Sequence, residues 1–208
     1  MLFPGAARCY HAMASLGGSN AKLILFGGRN ELDNGSETRD IHYDDTWLFD
    51  AHTGDRGEWT QISTKTSTDV PSRRYFHTMA LIGGTSKALL YGGSNFVQYL
   101  FDTYVFDLTT LSWKKLSKGP RLTNSNLATL EQNGVLLYGM TGRPVSWTFD
   151  LSTNSWTMVV VPKKCMRARA SMTSIGVNCT VVLFGGINAN QNVLLNKNTC
   201  IYEQKKNK

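Results

Sequence analysis

The sequence predicts an all-β protein assembled from four copies of one antiparallel unit, and three observations lead there. A short apolar run ending in an aromatic residue and glycine occurs four times: Leu23-Ile24-Leu25-Phe26-Gly27-Gly28, Leu89-Leu90-Tyr91-Gly92-Gly93, Leu136-Leu137-Tyr138-Gly139-Met140 and Val182-Leu183-Phe184-Gly185-Gly186. Such runs read as buried strands, and the glycines permit a turn that a Cβ obstructs. An aromatic residue followed by an acid closes a later strand in three units (Phe49-Asp50, Phe106-Asp107, Phe149-Asp150), each with a tryptophan after it, Trp59, Trp113 or Trp156. Nineteen glycines against five prolines suit many tight turns between short strands.

The first unit, 8–66, opens with Arg8-Cys9-Tyr10-His11 and a strand of small residues, turns at Gly17-Gly18-Ser19-Asn20, and continues in the strand that ends at Gly27-Gly28. A polar insertion from Arg29 to Asp45 follows, then a strand over Thr46-Trp47-Leu48-Phe49-Asp50 and a fourth over Glu58-Trp59-Thr60-Gln61-Ile62. The insertion holds Glu31, Asp33, Glu37, Asp40, Asp44 and Asp45 but lacks the spacing of an EF-hand, so it is expected to be a solvated loop and a place for partner specificity. The second unit, 71–118, repeats the order with Arg73-Arg74-Tyr75-Phe76-His77, Gly92-Gly93, Thr103-Tyr104-Val105-Phe106-Asp107 and Ser112-Trp113. In the third, 120–160, Gly139-Met140 replaces the glycine pair, and the opening strand, near Asn126-Leu127-Ala128, has lost the Arg-x-x-His pattern. The fourth, 167–203, starts at Arg167, passes Gly185-Gly186 and reaches Thr199-Cys200-Ile201-Tyr202-Glu203 without a tryptophan strand after it. Residues 1–7 are an N-terminal extension and 204–208 a basic tail.

A chain of 208 residues with 41% hydrophobic and 18% charged residues has the composition of a folded protein. It contains no apolar run near the ~18 residues that span a bilayer, and Met1-Leu2-Phe3-Pro4 is too short for a signal-peptide core, so the expected location is cytoplasmic. Cys9, Cys165, Cys179 and Cys200 show no CxxC spacing and are read as small buried hydrophobes; the sequons at Asn34 and Asn178 matter only in a secreted chain. The net charge of +7 is uneven: residues 1–69 carry ten acids and six bases, residues 70–208 five acids and sixteen bases. The basic half suits an acidic partner.

The ordered set of diglycine strand, aromatic-acid pair and tryptophan resembles the kelch-repeat family of β-propellers over residues 8–203, and its later intervals (Gly92 to Gly139, Gly139 to Gly185) match the family's period of about 50 residues. The resemblance implies a partial β-propeller of four kelch blades, the fourth lacking its outer strand, and therefore a fragment, a truncated product or a ring that a second chain completes. It also implies an interaction scaffold or adaptor that takes a partner protein or acidic peptide on the loop face. Transferred by position, that face holds Arg29, Asn30, Ser94, Asn95, Arg143 and Asn188 after the glycines, and Arg8, Arg74, Tyr75 and Arg167 where the chain enters each innermost strand. Arginine grips carboxylates in a bidentate fork, yet the same arginines equally suit a structural role on neighbouring carbonyls or acids. His11 and His77 recur in register and are read as packing residues. No GxSxG, P-loop or HExxH is present, so no enzyme, cofactor or metal site is expected; the alternative that the family offers is a copper-radical oxidase or a sugar mutarotase-like enzyme. Scattered lysines without a stacking platform disfavour a nucleic-acid partner.

Overall fold

The computed structural model describes residues 3–17, 21–33, 38–63, 69–131, 133–141, 143–160, 165, 170–175, 180–186 and 199–203. Its named elements are all β-strands, divided between two compact units, Met1–Leu81 with Thr85–Lys118 and Ile82–Gly84 with Gly119–Lys208.

The first unit contains two four-stranded antiparallel sheets. One runs β1 (Ala12–Ser15), β2 (Lys22–Phe26), β5 (Thr46–Asp50), β6 (Glu58–Ile62) in that spatial order; the other runs β7 (Thr78–Leu81), β8 (Lys87–Ser94), β9 (Tyr99–Asp107), β10 (Ser112–Lys115). Both follow the order expected of kelch blades. The insertion departs from expectation: β3 (Arg29–Asp33) and β4 (Thr38–His42) pair as a hairpin in the register Arg29↔His42, Glu31↔Asp40, where a solvated loop was expected. The Asn34-Gly35 pair between the two runs is a turn-forming dipeptide; residues 34–37, which connect the strands, lie outside the described set.

In the second unit, β11 (Thr123–Thr129), β12 (Gly134–Thr141), β13 (Arg143–Asp150) and β14 (Ser155–Val159) make a third four-stranded sheet. A fourth sheet has three strands among the described residues, β15 (Ser171–Ile175), β16 (Thr180–Phe184) and β17 (Thr199–Glu203). The register of β11 on β12 places Leu127 opposite Leu137 and carries a bulge between Thr123 and Asn126, which settles the alignment of the third opening strand.

The repeated residues have local physical roles. Asp50, Asp107 and Asp150 each accept, through Oδ1, the backbone N–H two residues on (His52, Thr109 and Ser152, at 3.0, 2.8 and 2.7 Å), so each starts an Asx turn that reverses the chain. The returning strand then lays its tryptophan on the preceding phenylalanine, with Phe49–Trp59, Phe106–Trp113 and Phe149–Trp156 at ring separations of 5.1, 5.2 and 5.0 Å. Trp113 is buried among Phe26, Leu48, Leu90 and Phe106 in the core of the first unit, and its Nε1–H donates to Thr46 Oγ1 at 2.9 Å. Without that acceptor, the desolvated N–H would cancel much of what burying the ring contributes. Phe3 of the N-terminal extension packs edge-on against Trp47 and Trp59.

The cysteine expectation changes at three of the four positions. Cys9 is exposed, and Cys165 and Cys200 form a disulfide across a Cα separation of 5.4 Å, because the fold of the second unit brings residues 35 apart in sequence into one apolar cluster with Tyr138, Ala170 and Leu183. Cys179 lies outside the described residues, as do the two sequons and the basic tail.

The second glycines of the first two pairs are required by both conformation and space. Gly28 and Gly93 adopt φ of +98° and +99°, and a Cβ on either would lie 2.8 Å from a backbone oxygen, that of Cys9 or Tyr75. The segment entering each of these blades therefore passes directly over the second glycine. Met140, at the corresponding place in the third blade, lies in regular pairing with Pro144, so no turn is needed there. Gly93→Ala is expected to reduce the unfolding free energy by about 2 to 4 kcal/mol in urea titrations, whereas Met140→Ala stays within about 1.5 kcal/mol of the parent.

Candidate functional site

The segment Arg-x-aromatic-His leads into both blades of the first unit, and its four side chains divide their work. The first, the arginine, is consumed by the fold. Arg74 is fully buried; its Nη1 donates to Asp102 Oδ1 at 2.7 Å and to the Gly92 carbonyl at 3.0 Å, and its Nη2 donates to Asp102 Oδ2 at 3.1 Å. Nε donates to the Ser72 carbonyl at 2.9 Å. Arg8 repeats the arrangement with the Gly27 carbonyl at 3.0 Å and Asp45 at 2.5 and 2.8 Å, its side chain 3% exposed. Burial alone would raise the Asp45 pKa, but hydrogen bonds from Arg8 and Trp47 outweigh it and hold the carboxyl below its usual range. The place assigned to Arg74 on a binding rim is therefore corrected: its charge is neutralised and its donors are spent inside the blade.

The second residue of each segment makes a β-bridge to the residue after the glycines, Cys9 to Arg29 and Tyr75 to Ser94. Tyr75 and Ser94 are buried or nearly so, which makes them supports of the face rather than its surface. The third residue is aromatic, Tyr10 or Phe76, and both hold φ of +57°. That region is strained for bulky side chains and persists only where the surroundings enforce it. Here the buried arginine and the bridged residue directly before it hold the chain, and the ring is exposed. Tyr10 and Phe76 stack at 4.3 Å, and the Arg29 guanidinium lies 5.0 Å from the Tyr10 ring, 4.8 Å from Tyr75 and 6.0 Å from Phe76.

The surface continues across the second blade. His42 packs on Tyr75 at 4.9 Å and approaches Phe96 at 6.1 Å. Phe96 has φ of +74° in the turn between β8 and β9, where Asn95 Oδ1 accepts the N–H groups of Gln98 at 3.0 Å and Val97 at 3.3 Å. Asn95 thus serves the face by shaping the turn that presents Phe96 and Val97. Tyr10, Phe76, Phe96, Val97 and Tyr99 are between 44% and 85% exposed, and together they form an aromatic ledge on the post-glycine side of the first unit. Asn30 is half-buried in β3. Arg143 is exposed at the start of β13 in the second unit, while Arg167 and Asn188 lie outside the described residues.

The rings at Phe76, Phe96 and Val97-Gln98-Tyr99 escaped the sequence reading, which weighted charged residues. Phe96, Val97 and Tyr99 are large apolar side chains in the segment after the glycine pair, and Phe76 lies in the segment that enters the blade.

The fourth residue, His77, is buried and donates Nε2–H to the Phe26 carbonyl of the neighbouring blade at 3.0 Å, while its Nδ1 has no hydrogen-bond partner. Burial, reinforced by the Arg74 charge, lowers its pKa from 6.5 to about 3. The unfolded chain therefore binds a proton that the folded one refuses, so stability is full above pH 6.5 and is lost as pH falls toward 3. His11, shifted in the same direction by burial and Arg8, adds to that slope. Urea midpoints measured at stepped pH are expected to fall below pH 6.5 by up to about 1.4 kcal/mol per pH unit from His77, and His77→Gln, which keeps a donor but does not titrate, is expected to lose that part of the slope.

Comparison with known proteins places these features. The chain is 28% identical over 155 residues to acyl-CoA-binding domain-containing protein 5 of Arabidopsis thaliana, covering 66% of this chain and 23% of that protein. It is 26% identical over 135 residues to the Rho GTPase-activating protein gacHH of Dictyostelium discoideum, covering 57% and 9%. Acyl-CoA-binding domain-containing protein 6 of Oryza sativa subsp. japonica is 26% identical over 155 residues, covering 66% and 23%. The chain thus spans less than a quarter of the length of each of these relatives. Residues 4–186 match the KLHDC2/KLHL20/DRC7 Kelch-repeats domain, which takes in the glycine pairs, the arginine-clamped segments and most of the strands described above. With its repeated Arg-x-aromatic-His segments and blade-ordered sheets, the chain belongs to the kelch-repeat family.

Proposed function

We propose that the chain is a non-enzymatic scaffold that docks a partner protein on the aromatic ledge of its first unit. Kelch propellers are in general protein-interaction domains. The observation that carries the finer reading is the ledge itself: large rings held outward, against backbone preference, over a neutralised and rigid support. Contiguous exposed apolar surface of this kind marks interaction sites, and aromatic side chains contribute much of the energy at interface centres. Pre-organisation lowers the entropy lost on binding.

The structure alters the weight of the acidic-peptide expectation. Arg8 and Arg74 are neutralised by Asp45 and Asp102 inside the blades, so neither offers its charge to an acidic peptide. A metal-dependent enzyme draws no support, since among the described residues no group of three His, Cys, Asp or Glu is placed to hold an ion. No helix is long and apolar enough to cross a membrane. The names of the relatives concern proteins more than four times as long as the shared segment and do not bear on the docking partner.

Affinity capture should be compared between the parent and a Phe76→Ser/Phe96→Ser variant whose thermal melt matches it. Specific partners are expected to fall at least about tenfold with the variant, as loss of two interface anchors implies; identical partner sets would refute the ledge as the docking face.

A further inference from the structure

The segment entering the fourth blade is fastened by a different chemistry from the first two, and the strand registers show where. Phe26, Tyr91 and Phe184, each directly before a glycine pair, face Ala12, Thr78 and Ser171 on the first strand of their blades and Thr46, Thr103 and Thr199 on the third. Six residues before the first set stand Ala6, Ser72 and Cys165, and one residue after the second set stand Trp47, Tyr104 and Cys200. We propose that the Cys165–Cys200 disulfide is a redox-sensitive counterpart of the arginine clamp, which holds the segment entering the fourth blade when oxidised and releases it, with the sheet still paired, when a dithiol reduces it.

In the second blade the Arg74 guanidinium lies between the two equivalent positions. Its Nε donates to the Ser72 carbonyl at 2.9 Å, and the group sits 5.3 Å from the centre of the Tyr104 ring. In the first blade Arg8 donates Nε–H to the Ala6 carbonyl at 3.2 Å, and Asp45, which it binds, also accepts the indole N–H of Trp47 at 2.7 Å. In the fourth blade the residues at those two places are bonded directly, Cys165 to Cys200. The sequence also puts Asn198, a neutral amide, where Asp45 and Asp102 stand in the first two blades, so no bidentate carboxylate is encoded there for an arginine.

The exchange of chemistry has a consequence. An ion pair is indifferent to reductants, whereas a disulfide is opened by thiol exchange: a thiolate of the reductant attacks one sulfur, the other cysteine leaves as a thiolate and takes up a proton, and the reductant's second thiol resolves the mixed disulfide. The chain gains two electrons and two protons, and the dithiol becomes a cyclic disulfide. Both cysteines are 1% exposed, so the reductant reaches them only as the blade opens locally. Once formed, two thiols pack as small apolar groups in the cluster of Tyr138, Ala170 and Leu183. The β15–β16 and β16–β17 registers do not depend on the bond. The entering segment then keeps only reversible ties such as the hydrogen bonds that the Cys165 carbonyl accepts from Tyr138 Oη at 2.9 Å and the Ala170 carbonyl from Asn126 Nδ2 at 2.8 Å.

Lys163, Lys164, Arg167 and Arg169 place trypsin sites on both sides of Cys165, and Arg73 and Arg74 place two in the equivalent segment of the second blade. The test is limited trypsin digestion of the intact chain, oxidised or reduced with dithiothreitol that is removed before digestion, with the cuts mapped by mass spectrometry. Cleavage within residues 163–169 is expected to be at least about fivefold faster in the reduced chain, while cleavage at Arg73 and Arg74 stays within about twofold. Cys165→Ser/Cys200→Ser, with circular dichroism matching the parent, is expected to be cut at the reduced rate under both conditions, and Cys9→Ser to respond as the parent does. The comparison of oxidised with reduced parent stands without the double variant. Equal cleavage in the two states would overturn the inference, as would alkylation of Cys165 and Cys200 by iodoacetamide before any reductant is added. Faster cleavage at Arg73 and Arg74 to the same degree would show that reduction unfolds the chain as a whole, which also overturns it.

Discussion

The first unit depends on one repeated interaction, the arginine that reaches from the start of a blade to the carbonyl of the first glycine of its pair and to an aspartate just before or within its third strand. Arg8 and Asp45 make it in one blade, Arg74 and Asp102 in the other. A buried guanidinium is costly to desolvate, and the cost is met only because two carboxylate oxygens and a turn carbonyl take up its donors in a bidentate arrangement. The clamp fixes the height at which the incoming backbone crosses the second glycine. That crossing explains why Gly28 and Gly93 tolerate no Cβ.

From this constraint the exposed aromatic surface follows. With the arginine held inward and the next residue bridged to the strand beyond the glycines, the third residue adopts the left-handed region and its ring is exposed. The strain at Tyr10 and Phe76 is a local cost of presenting two stacked rings, offset by the clamp beneath and by His77 tying one blade to the carbonyl of the next. The turn at Asn95 achieves the same end by a different route, side-chain hydrogen bonds in place of a buried ion pair. The buried ion pairs thus lie inside the blades and the exposed rings outside them.

Features set by neighbours in sequence were legible without a structure. The strand order, the glycine turns, the aspartate that starts each outer hairpin and the tryptophan that returns onto phenylalanine are all encoded within a few residues of one another. What depends on distant residues was not. Arg74 looked like a rim residue because Asp102, which neutralises it, is 28 positions away and carries no local mark. The pairing of Cys165 with Cys200 is of the same kind. The hairpin from Arg29 to His42 was missed for another reason: its acids suggested solvation, and that outweighed the Asn34-Gly35 signal. The ledge was legible only in part, since the repeat marks Tyr10 and Phe76 by position, but nothing in a sequence window reports that they and Phe96 adopt positive φ.

The central claim is that the clamp, rather than the strands alone, holds the segment leading into the blade and so the face. Amide hydrogen exchange in Asp102→Asn tests it most directly, because the change removes the carboxylate charge and half its acceptors while leaving side-chain size unaltered. The bridge amides of Tyr75 and Ser94, which donate at 3.0 and 2.8 Å, are expected to exchange at least about tenfold faster than in the parent, while Cys9 and Arg29, bridged over the intact Arg8–Asp45 clamp, keep their rates. Unchanged exchange at Tyr75 and Ser94 would contradict the account.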